Sequence, residues 1–582
     1  MEQTKPLFII RRYRSILTAA IIVEAVNYIV SLTDSIVAGN LVNSSALAAI
    51  GLFAPFLSFI TFLSSIIISG TTLNYSFEIG RFDKRRALEF FSHGVYMALL
   101  TGALFSAALF AFRGLIIPGL TSSAVMQQYL REYCSVILLF YLIFPVSHYL
   151  DNMTVADGGE KLSAAANIVF ILSNVLLSIL FARLWSVKGI AFASVVSRLL
   201  FILILSAHFF GNKGTLRLLR HWKLRDFLTI VRSGGVKASI YALEGLTLLA
   251  VNLFAVRFFD SDTLVLLVMA EKYLGLLTLF IGLAMAAQPL ISTLSGEKNN
   301  KALRLMMRTV SFDMLAAGLI LSLLTLLFTP YLVGAFGISA EPLRGQGVVA
   351  LRIVAATLPL HALLLLYFIY YNLIGRQSAA LTLSVFKNLI SPLVLVALFS
   401  LIFKTGLGIW LGFSLAPLVS LIVCSLLIFL RCTKKRGEPF PLLIPRDNED
   451  RTFIYDFAVN AENAVAVSRT ADAVLRGFPV SEQTRTFLCL TLEEMLMLIR
   501  EKNGEKKVFA ECTILVEPEG VRMILRDSGR LFDITEADAR ADSFRQYVVA
   551  ALMLAHEYKA YLITTGYNRN ELFFPSGAAE GS

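Results

Sequence analysis

The stretch Ser31–Asn40, SLTDSIVAGN, closes a long apolar run and carries an aspartate inside it. A carboxylate in hydrocarbon costs about 2.5–3.5 kcal/mol on insertion scales, so Asp34 has to face something other than lipid. Back along the same run, Glu24, Asn27, Ser31 and Asp34 follow one another at steps of three or four residues. At ~100° per residue these positions share one side of a helix. A polar stripe on an otherwise apolar helix faces a partner helix or a water-filled cavity.

Composition places that helix in a membrane. Of 582 residues, 57% are hydrophobic and 16% charged, with a mean hydropathy of +0.71. Soluble domains carry about 25% charged residues. Apolar runs of about 20 residues, each long enough to cross the hydrocarbon, recur about twelve times. They span 15–37, 46–72, 92–115, 132–156, 163–183, 187–209, 235–257, 266–294, 310–334, 347–372, 380–403 and 407–430. The first is too long for a cleaved signal peptide. The expected fold class is an α-helical polytopic membrane protein, multi-pass in the cell membrane, with the lipid bilayer as its solvent.

Basic residues gather on alternate connections. They are Lys5, Arg11, Arg12 and Arg14; Arg81, Lys84, Arg85 and Arg86; the run from Lys213 to Lys237; Lys298, Lys301, Arg304 and Arg308; and Arg431, Lys434, Lys435 and Arg436. The connection from Gly39 to Ser45 has none. The positive-inside rule then puts both termini in the cytoplasm. This alternation accounts for the net charge of +11, and no nucleic-acid partner is expected. The five cysteines form no CxxC pair. They predict neither a disulfide framework nor a zinc site, and no metal site is expected.

The chain repeats itself. GRFDKRRALEFF from Gly80 and GEKNNKALRLMM from Gly296 both read glycine, basic cluster, Ala-Leu. GEKLSAAANIVF from Gly159 faces GRQSAALTLSVF from Gly375 at the same offset of about 216 residues. Six helices per copy is an even number, so the copies enter from one side as two parallel six-helix repeats. The expected organisation is a first lobe over 1–212, a cytoplasmic inter-lobe loop over 213–234, a second lobe over 235–432, a linker over 433–450 and a cytosolic domain over 451–582.

Other spans carry polar stripes too: Ser163, Asn167, Asn174 and Ser178 on the fifth, Ser384, Lys387, Asn388 and Ser391 on the eleventh, and Glu244 with Thr247 on the seventh. Glu271 and Lys272 read as a membrane-edge pair at the start of the eighth. Serine and asparagine serve equally well as interhelical glue, at roughly 0.6 kcal/mol per bond. A carboxylate suits glue less and suits coupling more, since it can load a proton or offer oxygens to a cation. The candidate ion-coupling and substrate-cleft residues are Asp34, Glu24, Asn27, Asn167, Asn174, Glu244 and Asn388.

The stretch TDSIVAGNLVNSSALAAIGLFAP resembles the first-helix signature of the MATE (multidrug and toxic compound extrusion) transporters, through Asp34, Ser35, Gly39, Ala46 to Ala49 and Pro55. GRFDKRRAL, ADGGEKLSAAANIVFILSN and VKGIAFASVVSR resemble that family's second loop and its fifth and sixth helices. The likeness covers roughly residues 10–432. It implies alternating access and a cation-coupled antiporter, not an enzyme. Such a protein expels amphipathic, often cationic small molecules in exchange for protons or sodium. Asp34 matches the family's first-helix acid, and Glu244 resembles an acid in the seventh helix of some members. The tenth span, LPLHALLLLYFIYYNLIGR, lacks the further acid those members carry and offers only His361 and tyrosines. A sodium site built from several acids is therefore disfavoured. A lipid-linked oligosaccharide flippase of the same superfamily, with Arg198, Lys272 and Lys387 as cleft cations, is the alternative transporter. A membrane sensor signalling through the tail is the alternative of another class.

After Arg436, GEPFPLLIPRDNED reads as a Pro-rich acidic linker. TFIYDFAVN and ECTILVEPEGVRMILRDSG alternate like strands, whereas SEQTRTFLCLTLEEMLMLIREK and SFRQYVVAALMLAHEY have helical period. This α+β tail resembles the ATP-binding fold of GHKL ATPases, especially anti-sigma-factor kinases. LTLEEMLMLI resembles their LEE helix, LRDSGRLFD their Asp-x-Gly box, and YLITTGYNRNELFF their closing strands. Glu494, Asp527 and Gly529 are what remains of a nucleotide box. Leu498 stands where a metal-binding Asn is expected, and the stretch from Arg545 to Leu554 has no glycine to approach a phosphate. No cofactor is expected, ATP binding by the tail is not expected, and a cytoplasmic regulatory protein is the partner the tail suggests.

Overall fold

The computed structural model describes residues 7–80, 83–157, 159–210, 216–220, 223–434, 439–444, 449–530, 557–563 and 567–575. The stretch from Arg545 to Leu554 lies outside them.

Helix α1 (Leu7–Val37) runs into one π turn, Ala38–Val42. Asn43 then accepts the Ala46 N–H at 2.8 Å and starts α2 (Ser44–Gly51), which α3 (Ala54–Gly80) continues. Asp83 caps α4 (Lys84–Leu120) by accepting the Arg86 N–H at 2.9 Å. Helix α5 (Ala124–Ala156) leads to α6 (Glu160–Phe210), which is two arms rather than one rod. Trp185 and Ser186 leave helical geometry, and Ser186 takes a φ of +53°. A Cβ at Gly189 would overlap the Phe181 carbonyl, so only glycine lets the second arm fold back this tightly.

The second half repeats the plan. Helices α7 (Leu224–Phe258), α8 (Ser261–Leu274) and α9 (Leu277–Gly296) are followed by Asn299, which caps α10 (Asn300–Ala335) through the Ala302 N–H at 3.1 Å. Asp83 and Asn299 thus do one job in the two segments the sequence pairs. Helices α11 (Leu343–Ala355) and α12 (Leu358–Leu373) form one path bent by 42°, with Pro359 just past the break. Helix α13 (Gln377–Val385), a π turn at Phe386–Ile390 and α14 (Ser391–Phe403) make the next pass, and α15 (Leu407–Ile428) the last. Among the described residues nine helices are long and apolar enough to cross a membrane, ten with the bent pair. Leu104, Leu115, Leu203, Phe312 and Leu327 point outward from this body, as a lipid-facing surface requires.

The halves meet along α3 against α7 and α1 against α9. A Cβ at Gly70 would overlap the Ile230 carbonyl, and one at Gly234 the Ile66 carbonyl. Small residues let helix backbones approach this closely where no hydrophobic force drives them together. Gly39 meets the Phe336 carbonyl and Gly51 the Val268 side chain at the far end.

The tail is α+β. Strands β1 (Thr452–Ala458), β2 (Phe509–Glu517), β3 (Gly520–Asp527), β4 (Glu557–Ile563) and β5 (Tyr567–Pro575) pair antiparallel in the order β1-β2-β3-β5-β4. Helices α16 (Ala461–Leu475) and α17 (Glu482–Asn503) cover one face, packing on Tyr455, Cys512, Ile514, Met523 and Leu572. The linker is partly docked rather than free. Leu443 and Ile444 join the core beside α10 and α12, and Tyr370 and Tyr371 donate to the carbonyls of Leu442 and Pro441, each at 2.8 Å.

Candidate functional site

Asp34 lies three turns into the far half of α1 and faces the two arms of α6. Its Oδ1 accepts from Ser178 Oγ at 2.9 Å and its Oδ2 from Ser194 Oγ at 3.2 Å. Asn174 Nδ2 donates to Ser194 Oγ at 3.3 Å, while its Oδ1 is buried with no hydrogen-bond partner. Two hydroxyls and an amide thus surround one carboxylate, and acceptor oxygens outnumber the protons that can satisfy them. From the other half, Lys272 stands within electrostatic reach of Asp34 and of Glu271.

Glu271 and Lys272 are therefore not a pair at the membrane edge. Helix α8 starts ten residues earlier, at Ser261, because Asp260 caps it through the Thr263 N–H at 2.8 Å. That start carries Glu271 and Lys272 inward, and both Glu271 oxygens are buried with no hydrogen-bond partner. Periodicity could not show this, since the capping Asp260 lies outside the apolar run.

Glu244 is exposed on its own helix yet ringed by protein, as a side chain lining an internal cleft is. Its electrostatic partner is Lys387. The π turn at Phe386–Ile390 shapes that contact. It adds a residue to one helical turn and so frees a backbone carbonyl. Thr247 Oγ1 donates to that carbonyl, of Asn388, while Asn388 Nδ2 donates to Ser384 Oγ at 3.3 Å and Lys387 Nζ to Asn388 Oδ1 at 3.4 Å. His361 also lies within reach of Lys387.

The stripe on α1 splits. Glu24 faces Gly282 of α9 and Tyr241 of α7, not the serines around Asp34. The side chains of Asn27 and Ser31 lie outside the described residues. Asn167 belongs elsewhere too: its Nδ2 donates to the Ser163 carbonyl at 3.0 Å, and Ser163 Oγ donates to Asp151. Arg198 is near Asp151 but held among Phe140, Phe144, Phe170 and Phe201, the closest ring centroid 4.1 Å away. It is thus a packed cation within the first half rather than a cleft cation. Sequence reasoning missed Ser194 and Asp151. Ser194 lies one arm away from the stripe it completes, and only the fold at Ser186 brings it back. Among the described residues no group of three or more His, Cys, Asp or Glu could hold a metal ion.

In the tail, Asp527 Oδ1 accepts from the Gly529 N–H at 2.9 Å and from Asn568 Nδ2 at 3.0 Å. Burial pushes the Asp527 carboxyl up to about 6. Leu498 is fully buried in the core between helices and sheet, where it presents no oxygen to a metal. Glu494 lies half-buried on α17.

The family model MatE matches residues 19–180 and 241–397, together more than half of the chain. The chain belongs to the MatE family. Both matched segments carry a polar cluster: Asp34 with Asn174 and Ser178 in one, Glu244 with Lys387 and Asn388 in the other. MATE proteins are membrane transporters and not enzymes. Solved structures give the same fold at low identity. An inward-facing multidrug resistance MATE family transporter of the MOP superfamily is 20% identical, with a TM-score of 0.65 over 69% of this chain and 94% of that one. An outward-facing structure under the same description reaches 0.59 over 74% and 98%, again at 20% identity. A MOP superfamily transporter from Pyrococcus furiosus, described by a binding pocket of reverse polarity, reaches 0.60 over 74% and 98% at 20% identity. No match was found among curated proteins. The tail lies outside the family match.

Proposed function

We propose that this MATE protein is a cation-coupled antiporter that exports amphipathic, cationic small molecules by alternating access. The ten span candidates, with the arms of α6 counted apart and α1 added, support a reading of about twelve passes in two parallel six-helix lobes. The lobes run over 1–212 and 235–432, joined by the segment over 213–234, whose part from Leu224 on is already the start of α7, with the linker over 433–450 and the tail over 451–582. Both termini and the tail are cytoplasmic, by the placement of the basic loops.

The observation that carries the reading is Asp34. It is a membrane carboxylate held by Ser178 and Ser194 of its own lobe, with the unpartnered Asn174 oxygen beside it and Lys272 of the other lobe opposite. Such a group binds a proton or a small monovalent cation in one state and yields it in another, when the lobes rock and its surroundings change. Glu24, Asn27, Glu244 and Asn388 are assigned to the cleft, Asn174 to the Asp34 site, and Asn167 to the supporting cluster with Asp151. The tail serves docking and regulation, and neither hydrolyses nor binds ATP.

The test is flux. Protein in proteoliposomes holding a pH-sensitive dye should release protons when a fluorescent amphipathic cation is added, and a parallel sodium gradient identifies the other coupling ion. Absence of cation-dependent flux on either gradient would refute antiport. A second reading draws on Lys272 and Lys387, which put two cations inside the cleft. These suit the anionic headgroup of a lipid-linked oligosaccharide. Scrambling of an anionic lipid analogue without drug flux would select it.

A further inference from the structure

The tail's sheet is buried on both faces. One face carries α16 and α17. On the other, strand register lines up Asp456, Glu511, Arg526 and Arg569 in one row across β1, β2, β3 and β5. A charged row under cover is costly unless each member is paired. The tail supplies only part of that pairing, and the membrane body supplies the rest.

At one end of the row Asp456 accepts the backbone N–H of Phe8. The Phe8 ring sits edge-on to Tyr567 at 5.8 Å, and the Arg11 guanidinium lies 3.9 Å over the Phe509 ring. At the other end Glu297, the residue after α9, enters between the two arginines. Arg526 donates to Glu297 and to Glu511. Arg569 Nε donates to the other Glu297 oxygen at 2.7 Å, and its Nη2 to Glu571 at 2.7 Å. The Arg526 and Glu297 side chains are each 1% exposed, so water cannot substitute for either.

One row of one sheet therefore grips a helix of each lobe. Helix α1 belongs to the first lobe, and Glu297 and the docked linker to the second. On this side of the membrane the lobes also touch directly, through Gly70 with Ile230 and through Asn74 Nδ2, which donates to Ser233 Oγ at 3.1 Å. We propose that the tail is a built-in strap that holds the two lobes together on the tail-bearing side, and that opening the cleft to that side requires the row to release α1 or Glu297. The proposal rests on the alternating-access reading for its consequence, but the strap itself is a contact that can be cut. A domain docked for stability alone would grip one lobe. Phe8 packs in the core of α9, α10 and α12, but α1 continues to Asp34 and the serines of α6, so the grip on α1 reaches the first lobe through that helix.

The test uses full-length protein in proteoliposomes with Ser233→Cys as reporter of the tail-side seam. Labelling of that cysteine by a membrane-permeant maleimide is read by mass spectrometry. The double variant Phe8→Ala/Asp456→Ala cuts the strap at α1, since it removes both the acceptor of the Phe8 N–H and the ring contact with Tyr567. Glu297→Gln cuts it at the second lobe and keeps the side-chain shape. Labelling should accelerate about tenfold in each, less than the loss of a buried ion pair permits. Unchanged labelling in Phe8→Ala/Asp456→Ala overturns the strap, whatever Glu297→Gln does, because the tail would then act on the second lobe alone. Should Glu297→Gln fail to fold, Phe8→Ala/Asp456→Ala decides by itself. Cation-driven flux is measured on the same vesicles. Flux missing from all three proteins refutes antiport, while faster labelling in the variants still upholds the strap.

Discussion

The two halves of the membrane body each carry a polar cluster, and the clusters differ in kind. In the first half a lone carboxylate, Asp34, is met by Ser178 and Ser194, and Asn174 keeps an oxygen free. In the second half Glu244 is met by a resident cation, Lys387, beside a π turn. The first cluster takes its cation, Lys272, from the other half. The second brings its own. One cluster is thus compensated across the two halves and the other within one half, so only the first would lose its compensation if the halves moved apart.

The largest effect should fall on the first cluster. Asp34→Asn is expected to reduce substrate-coupled ion exchange to background while purified protein keeps its elution profile. Full exchange in that variant would erase the distinction between the halves. Next comes Glu244→Gln, which leaves Lys387 enclosed without its counter-charge and should cost about 3–5 kcal/mol of stability, read as a lower unfolding temperature in detergent. Adding Lys387→Met should restore most of that loss. If the double variant is as unstable as the single one, Lys387 is not compensated by Glu244. Asn174→Ala removes a neutral hydrogen bond worth about 1 kcal/mol, so apparent affinity for the coupling ion should weaken about fivefold. No change there would reduce Asn174 to glue.

The smallest effect comes from the tail, which offers a buried acid against a cation outside the membrane. Burial pushes the Glu511 carboxyl up to about 7 despite Arg526, and Asp527 to about 6. Both carboxyls hold protons more tightly folded than unfolded. Their contribution to tail stability is therefore complete below the unfolded values of about 4 and is lost as pH rises through 6 and 7. Unfolding of the tail, followed by thermal denaturation of the full chain, should move up by a few degrees between pH 8 and pH 6. Glu511→Gln should flatten most of that slope, and a slope of opposite sign would mean that Arg526 outweighs burial.

Much of this was readable in the residues alone. Twenty-residue apolar runs determine a helical membrane body, because hydrocarbon demands satisfied backbones and penalises charge wherever the chain sits. Period-two alternation in ECTILVEPEGVRMILRDSG determines a sheet with two different faces. Asp34 was legible because a carboxylate in an apolar run has few inexpensive explanations. What covers the sheet's second face was not legible. Glu297 reads as one loop acid among lysines, and only the docked tail places it between Arg526 and Arg569. Likewise Ser194 reaches Asp34 only because the chain reverses at Ser186, and Glu271 and Lys272 turn inward only because Asp260 starts their helix early. Local sequence fixes periodicity and cost. Which side chains meet is decided by how elements far apart in the chain pack, and no single segment carries that information.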